Sequence, residues 1–180
     1  MFGGDKRAQP KTTSDSWIAV PKRTEPAQLP EIIPESYRIN YREAQLIFTD
    51  SPRMSAVLAR RILADLLEQY ANLKDFKLST RIDRFIEDSS HPSSLRENLH
   101  YLREIADFGA HTIKDSEDRV IEASPVEAEW TLTVVDRLFE YFIIGPQRDK
   151  AMRTSMDEKL AKAQRKPIKP LGTRNDKIES

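Results

Sequence analysis

The chain contains no cysteine and is poor in glycine and histidine. The absence of Cys from all 180 residues excludes disulfide bonds and thiolate metal sites. Three His residues are little material for a transition-metal site, and the His-Glu-x-x-His zinc pair is missing. Five Gly residues form neither a Gly-rich phosphate loop nor a Gly-x-Ser-x-Gly elbow. The sequence therefore predicts no metal and no cofactor.

Long apolar runs are also missing. No stretch approaches the roughly 20 apolar residues that a bilayer-spanning helix needs. The first residues lack the basic segment and apolar run of a secretory signal. We therefore expect a cytoplasmic protein with no membrane partner, organised as one domain with tails.

Charge is balanced overall but unevenly distributed along the chain. Residues 41–144 carry 13 basic and 19 acidic side chains, a net charge of −6. Residues 145–180 carry 10 basic and 5 acidic side chains, a net charge of +5. An acidic body repels nucleic acid at long range, whereas a basic tail either binds a polyanion or keeps the protein soluble.

Proline content divides the chain into three parts. Five of the 11 Pro residues precede position 36, and this density prevents long helices. We therefore predict a Pro-rich, partly disordered arm over residues 1–36 and a helical domain over residues 37–145. Residues 146–180 are predicted to form a charged tail, helical near Met152 to Gln164 and disordered after Pro167.

Apolar residues recur at intervals of three and four through the middle of the chain, which is typical of helices. Caps and prolines suggest where these helices begin, and Gly145-Pro146 is a stop signal. No strand alternation is present, so we predict an all-α, antiparallel bundle of about five helices. The predicted helices are Tyr41–Thr49, about Pro52–Tyr70, a short helix through Leu78 and Ile86, a fourth opened by the capping box Ser94–Glu97, and a fifth opened by Ser124-Pro125. Residues 112–123 are predicted to form a loop.

Arg103, Asp107 and His111 recur at four-residue intervals on the fourth predicted helix. This spacing places the three side chains on one helix face. A guanidinium matches phosphate oxygens, and an imidazole can move a proton near neutral pH. The set therefore indicates a catalytic site for phosphate chemistry, such as metal-independent RNA cleavage, with Asp107 orienting one of the other two.

The same three residues are also typical of an ordinary helix end. Arg103 and Asp107 can form an exposed ion pair, while His111 suits the negative end of the helix dipole. Spacing alone favours this structural interpretation. Arg60-Arg61 is expected to be a solvated helix flank rather than a second cationic site. His91 is predicted to be a loop residue, and Trp130 with its aromatic neighbours to be core or interface.

The order of several segments resembles the family called domain of unknown function 4145 (DUF4145), over about residues 29–144. The segments that carry the likeness are Leu29-Pro30-Glu31-Ile32, Tyr41-Arg42-Glu43-Ala44, Ala56–Leu63, Leu78–Ile82, Leu102–His111 and Ser124–Ala128. The family looks like a distant relative of the HEPN (higher eukaryotes and prokaryotes nucleotide-binding) helical domains. Many of those domains are dimeric, metal-independent ribonucleases that use an Arg and a His on one helix.

The resemblance implies a HEPN-like fold and a homodimer in which Arg103 and His111 take the catalytic roles. The leading hypothesis is therefore a nucleic-acid-associated module of a bacterial defence or stress system, with endoribonuclease activity as its catalytic form. The competing hypothesis is a non-catalytic module for dimerisation or for binding a partner protein. The acidic body and the presence of Glu104 directly after Arg103 favour this second hypothesis. Small-nucleotide binding is a third hypothesis.

Overall fold

A computed structural model describes Pro26, residues 28–110 and 124–166, and Ile168; the side chains of residues 105–110 lie outside that description. Within these residues all regular structure is helical, which confirms the predicted all-α bundle. The elements are α1 (Glu35–Ile47), α2 (Pro52–Tyr70), α3 (Leu78–Glu87), α4 (Ser93–Ala110), α5 (Pro125–Phe139), a π-helical segment (Glu140–Ile144) and α6 (Gly145–Lys162).

Helix α2 lies at the centre of the bundle. It packs against α1, α3 and α5, and α4 closes the bundle against α3 and α5. Complete burial of one large apolar side chain contributes about 1.5–3 kcal/mol, so this core is the main source of stability. The largest fully buried side chains include Ile62, Leu63, Leu66, Leu67, Ile82, Phe85, Leu99, Leu102, Leu138 and Phe139.

Two predicted helix starts are confirmed in detail. The hydroxyl of Ser51 accepts a hydrogen bond from the Met54 backbone N–H at 3.3 Å, and α2 begins at Pro52. The hydroxyl of Ser124 accepts one from the Glu127 N–H at 3.2 Å, and α5 begins with a proline in the same way. A Ser N-cap followed by Pro satisfies one free donor and removes another, which fixes the start of the helix.

Two other starts differ from the prediction. Helix α1 begins at Glu35 rather than Tyr41, immediately after Pro34, and it buries Tyr37 as well as Tyr41. Helix α4 begins at Ser93, because the Pro92 carbonyl accepts from both Leu95 and Arg96. Residues 1–25 and 27 of the predicted arm, the predicted loop 112–123 and the tail beyond Ile168 lie outside the described residues.

The predicted helix end at Gly145-Pro146 is wrong, because the helical backbone continues through it into α6. Pro146 has no N–H and crowds the preceding turn, so a regular α-helix is strained here. The π segment removes the strain by widening one turn, and the Gly145 N–H donates to the Glu140 carbonyl five residues back. A Cβ at Gly145 would stand 2.8 Å from that carbonyl oxygen, so the wide turn requires glycine.

Helix α6 contains most of the predicted Met152–Gln164 helix but begins earlier and ends at Lys162. It buries none of its residues. Its main contacts are with the π segment that precedes it. It therefore projects from the bundle as the continuation of α5.

Candidate functional site

Arg103 lies on the side of α4 that faces α3. Its Nε forms an ion pair with the Asp83 carboxylate of α3, and its Nη1 lies 3.2 Å from the Glu104 carboxylate. The side chain keeps 31% of its surface exposed. Among the described side chains, one cation thus stands between two carboxylates, and these three groups together carry more negative than positive charge. This environment opposes the approach of a phosphodiester.

The structure does not describe the side chains of the other two predicted site residues. Asp107 lies within α4, but its side chain is not among those described. His111 lies outside the described residues. The common face of Arg103, Asp107 and His111 therefore stays a prediction from spacing.

An open apolar groove runs between α4 and α5, on the other side of α4 from Arg103. Its volume is about 520 Å³. Tyr101 and Val126 are 62% and 73% exposed, and because both line one cleft they form an apolar patch rather than isolated exposed side chains. The indole Nε1 of Trp130 is shielded from solvent and has no hydrogen-bond partner among the described residues. The lining residues are Tyr101, Ser124, Val126, Glu127, Glu129, Trp130 and Thr133.

A buried ion pair supports the floor of the groove. Glu127 is only 5% exposed, and its carboxylate pairs with the Arg60 guanidinium of α2, which is 16% exposed. Arg60 is therefore not the solvated flank that we predicted, although its neighbour Arg61 is exposed. The error has a physical cause: Arg60 lies on the flank of α2 that contacts α5, and only packing reveals the buried carboxylate opposite it.

His91 occupies the connection between α3 and α4, as predicted, but its side chain is packed against aromatic residues. The imidazole stacks on Phe85 with centroids 3.8 Å apart and an interplanar angle of 5°. Its Nδ1 lies 3.1 Å from the hydroxyl of Tyr141, which belongs to the π segment. Burial lowers the pKa of His91, and Arg96 acts in the same direction, while Asp88 raises it.

The groove between α4 and α5 combines apolar side chains with exposed carboxylates around it. The groove offers an apolar floor to a partner, and the exposed carboxylates of Glu97 and Glu104 lie one turn from Tyr101 on the same helix face. Glu129 adds a third exposed carboxylate from α5. An apolar partner with basic flanks is therefore complementary to this groove.

Sequence reasoning missed the groove, although one signal pointed to it. Tyr101 falls outside the apolar stripe of Leu95, Leu99 and Leu102 that α4 buries. A large aromatic residue on the polar face of an amphipathic helix marks a position to examine for other exposed apolar side chains nearby, since a contiguous patch, unlike a single residue, is informative. Across the described residues, no three His, Asp or Glu side chains converge as metal ligands, and no helix is long and apolar enough to cross a membrane.

A protein-family model matches more than half of the chain. The family model described as domain of unknown function DUF4145 matches residues 42–165, a range that includes α2 to α6 and the last six residues of α1. No curated protein and no solved structure matches the chain significantly. The matched range includes the groove, the buried Arg60–Glu127 pair and Arg103. The chain belongs to the DUF4145 family.

Proposed function

We propose that this chain is a non-catalytic protein-interaction module and that the α4–α5 groove is its docking surface. The observation that carries this proposal is the exposure of Tyr101 and Val126 around the half-buried Trp130 in one open cleft. A partly buried aromatic side chain beside exposed apolar ones is a common anchor of protein interfaces.

The floor of the groove supports the same function. The Arg60–Glu127 pair fixes the first turn of α5, and the Ser124 cap fixes the start of that helix. Val126 and Trp130 are therefore presented on a rigid helix rather than on a loop. A preorganised surface loses less conformational entropy when a partner binds.

The surroundings of Arg103 also support a non-catalytic role. A phosphate that approached this guanidinium would have to displace the carboxylate of Asp83 and would meet the charge of Glu104. Neither carboxylate assists a phosphate anion. The exposed pair itself is worth only about 0–1 kcal/mol, so the opposition comes mainly from the surrounding negative charge.

A metal-independent endoribonuclease of a bacterial defence or stress system is the second candidate function. The specific observation in its favour is that Arg103 remains partly exposed at the surface of α4. In this function Arg103 stabilises charge on the phosphate, His111 moves the proton and Asp107 orients one of them. A second copy of the chain would complete the site.

A ribonuclease assay with chelator present separates the two candidates. We expect single-stranded and structured RNA to be cleaved no faster with wild-type protein than in buffer alone. The Arg103→Ala and His111→Ala variants should give the same background rate. Arg84→Ala is the matched control, because it removes another ion-paired surface arginine. Cleavage by the wild type and by Arg84→Ala, lost in both Arg103→Ala and His111→Ala, would establish the ribonuclease and overturn the interaction module.

A photo-reactive residue at position 126 tests the docking surface directly. We expect it to form adducts with polypeptide, since Val126 is at the mouth of the groove. The same residue at position 84, on the exposed surface of α3, is the control. Equal adduct yields at both positions, or adducts with RNA alone, would contradict the proposal.

A further inference from the structure

Helix α6 exposes apolar side chains and packs against little of the bundle. It spans Gly145–Lys162 and buries no residue, although it includes Met152 and Met156, which are 61% and 53% exposed. Most of the stability of a helix in a protein comes from packing one of its faces against another surface, and α6 has no such packing along most of its length. Its contacts with the π segment involve only its beginning and therefore leave most of its length without tertiary support.

The apolar residues of α6 form one ridge. Met152, Met156 and Leu160 are four residues apart, so they line up along one side of the helix. Ridges of this spacing are what one helix inserts between the side chains of another. Methionine adapts its shape to the surface it meets, which suits an interface made of Tyr101, Val126 and Trp130.

Charge makes the ridge complementary to the groove. Arg153 and Lys159 lie on either side of the ridge and are exposed. The groove has the exposed carboxylates of Glu104 and Glu129 beside it. Basic flanks opposite acidic rims favour the association of α6 with the groove and orient it.

The π segment turns the ridge toward the same side of the molecule as the groove. In an uninterrupted α-helix, Met152 and Met156 would point about 80° and 120° away from Val126. The π segment absorbs one extra residue, which rotates all later side chains back by about 100°. Met152 and Met156 then fall within about 20° of the direction of Val126.

One chain cannot bring its own ridge into its own groove. Helical backbone is continuous from Pro125 to Lys162, so Val126 and Met156 are separated by about 45 Å. Two chains can bring a ridge into a groove when their continuous α5–α6 helices lie side by side and antiparallel. The groove of each chain then contacts the ridge of the other. The contact is made twice around a twofold axis near the π segment, as in an isologous dimer.

We propose that the occupant of the α4–α5 groove is helix α6 of a second copy of this chain, inserted reciprocally through Met152, Met156 and Leu160. This inference rests on the proposed function, since it names the partner of the same groove. The dimer buries the exposed apolar side chains of both elements and gives α6 the packing that the bundle does not supply.

Disulfide trapping tests the geometry without interference, because the natural chain has no cysteine. Val126→Cys is combined in turn with Met152→Cys, Met156→Cys and Leu160→Cys. We expect mild oxidation to convert at least one double variant into a covalent dimer, in yields well above those of the corresponding single variants. Cysteine pairs join only when their Cα atoms are within about 7 Å. No trapped dimer in any double variant, or a disulfide within one chain, would overturn the inference.

Sedimentation equilibrium provides an independent measurement. We expect a dimer whose dissociation constant rises at least tenfold in Met156→Glu and stays within twofold of wild type in Thr154→Glu. The control places the same charge on the opposite face of α6, where Thr154 is exposed. A monomeric wild type, or equal effects of the two variants, would contradict the dimer.

The photo-reactive residue at position 126 separates failure of this inference from failure of the proposed function. If the adduct contains only a different polypeptide, and no dimer is found, the groove is a docking surface but its occupant is not α6. If position 126 yields no polypeptide adduct above its control, both proposals are wrong.

Discussion

The five-helix bundle and α6 are built from helices of similar length, but they are held in different ways. Helices α1 to α5 each bury an apolar side around the central α2. Helix α6 buries nothing and inherits its helical backbone from α5 through the π segment. The comparison shows that helix formation in this chain has two sources, burial in a shared core and continuation from a packed helix. The second source leaves both methionines of α6, Met152 and Met156, exposed.

The largest expected effect comes from removing core volume. Phe139→Ala deletes a side chain that is 1% exposed and should lower the free energy of unfolding by about 3–5 kcal/mol. Leu160→Ala on α6 should cost less than about 0.5 kcal/mol in dilute solution, where the proposed dimer has dissociated. Urea unfolding of both variants measures the difference. Equal losses in dilute protein would show that α6 belongs to the core.

Breaking the buried ion pair should have the next largest effect. Glu127→Ala leaves Arg60 without its carboxylate beneath the groove and should cost about 3 kcal/mol. Arg84→Ala removes an ion pair whose arginine is 59% exposed and should cost no more than about 1 kcal/mol. Chemical denaturation gives both values. A Glu127→Ala loss as small as that of Arg84→Ala would mean that the pair does not stabilise the fold.

The π segment can be tested by the sign of the change in stability when Gly145 is replaced by alanine. In a regular helix Gly→Ala stabilises by about 0.8–1 kcal/mol. At Gly145 the added methyl group meets the Glu140 carbonyl oxygen, so Gly145→Ala should destabilise by about 1 kcal/mol or more. Thermal unfolding gives the sign of the stability change. Disulfide trapping between cysteines at positions 126 and 156 reports whether α6 keeps its orientation. Stabilisation would show that the wide turn does not need glycine.

The smallest expected effect is the dependence of the free energy of unfolding on pH that His91 introduces. Burial lowers the pKa of His91 below its ordinary value of 6.5, so the unfolded chain binds the proton more readily than the folded one. The contribution of His91 to the free energy of unfolding should therefore be fully present above about pH 6.5. It should be lost as the pH falls toward the lowered pKa. Urea titrations of wild type and His91→Gln between pH 7.5 and 5 measure this slope.

The control for this slope is His100→Gln, which alters an exposed histidine on α4. It should retain the wild-type dependence on pH, whereas His91→Gln should flatten it. A slope that is unchanged in His91→Gln would show that the stacked imidazole does not control stability in this range.

Much of the fold followed from local chemistry that the sequence displays. The Ser-Pro pairs at Ser51 and Ser124 fixed the starts of α2 and α5, because a hydroxyl cap and a proline act within one turn. The spacing of apolar residues predicted the central helices in the same way. The helix end predicted at Gly145 was wrong, because the same two residues that stop a regular helix can also be accommodated by one wider turn.

The candidate site was less accessible to prediction, since its members come from different helices. The Arg103–Asp83 contact joins α4 to α3, and the Arg60–Glu127 pair joins α2 to α5. Spacing along one helix indicated which residues share a face with Arg103, but it carried no information about the carboxylates opposite. The role of Arg103 with Asp107 and His111 stays a prediction that the ribonuclease assay tests.

The amino-acid sequence by itself determined the helical class, the DUF4145 membership and the division into an acidic body and a basic tail. These properties depend on composition and on spacing within a few turns. Only the tertiary structure decided which charges are neutralised and that Tyr101 meets Trp130 across an open groove. It also decided that the backbone continues from α5 into α6 through a π turn. Such relations depend on helix packing and on the rotation introduced by one π turn, and neither is encoded in any single segment.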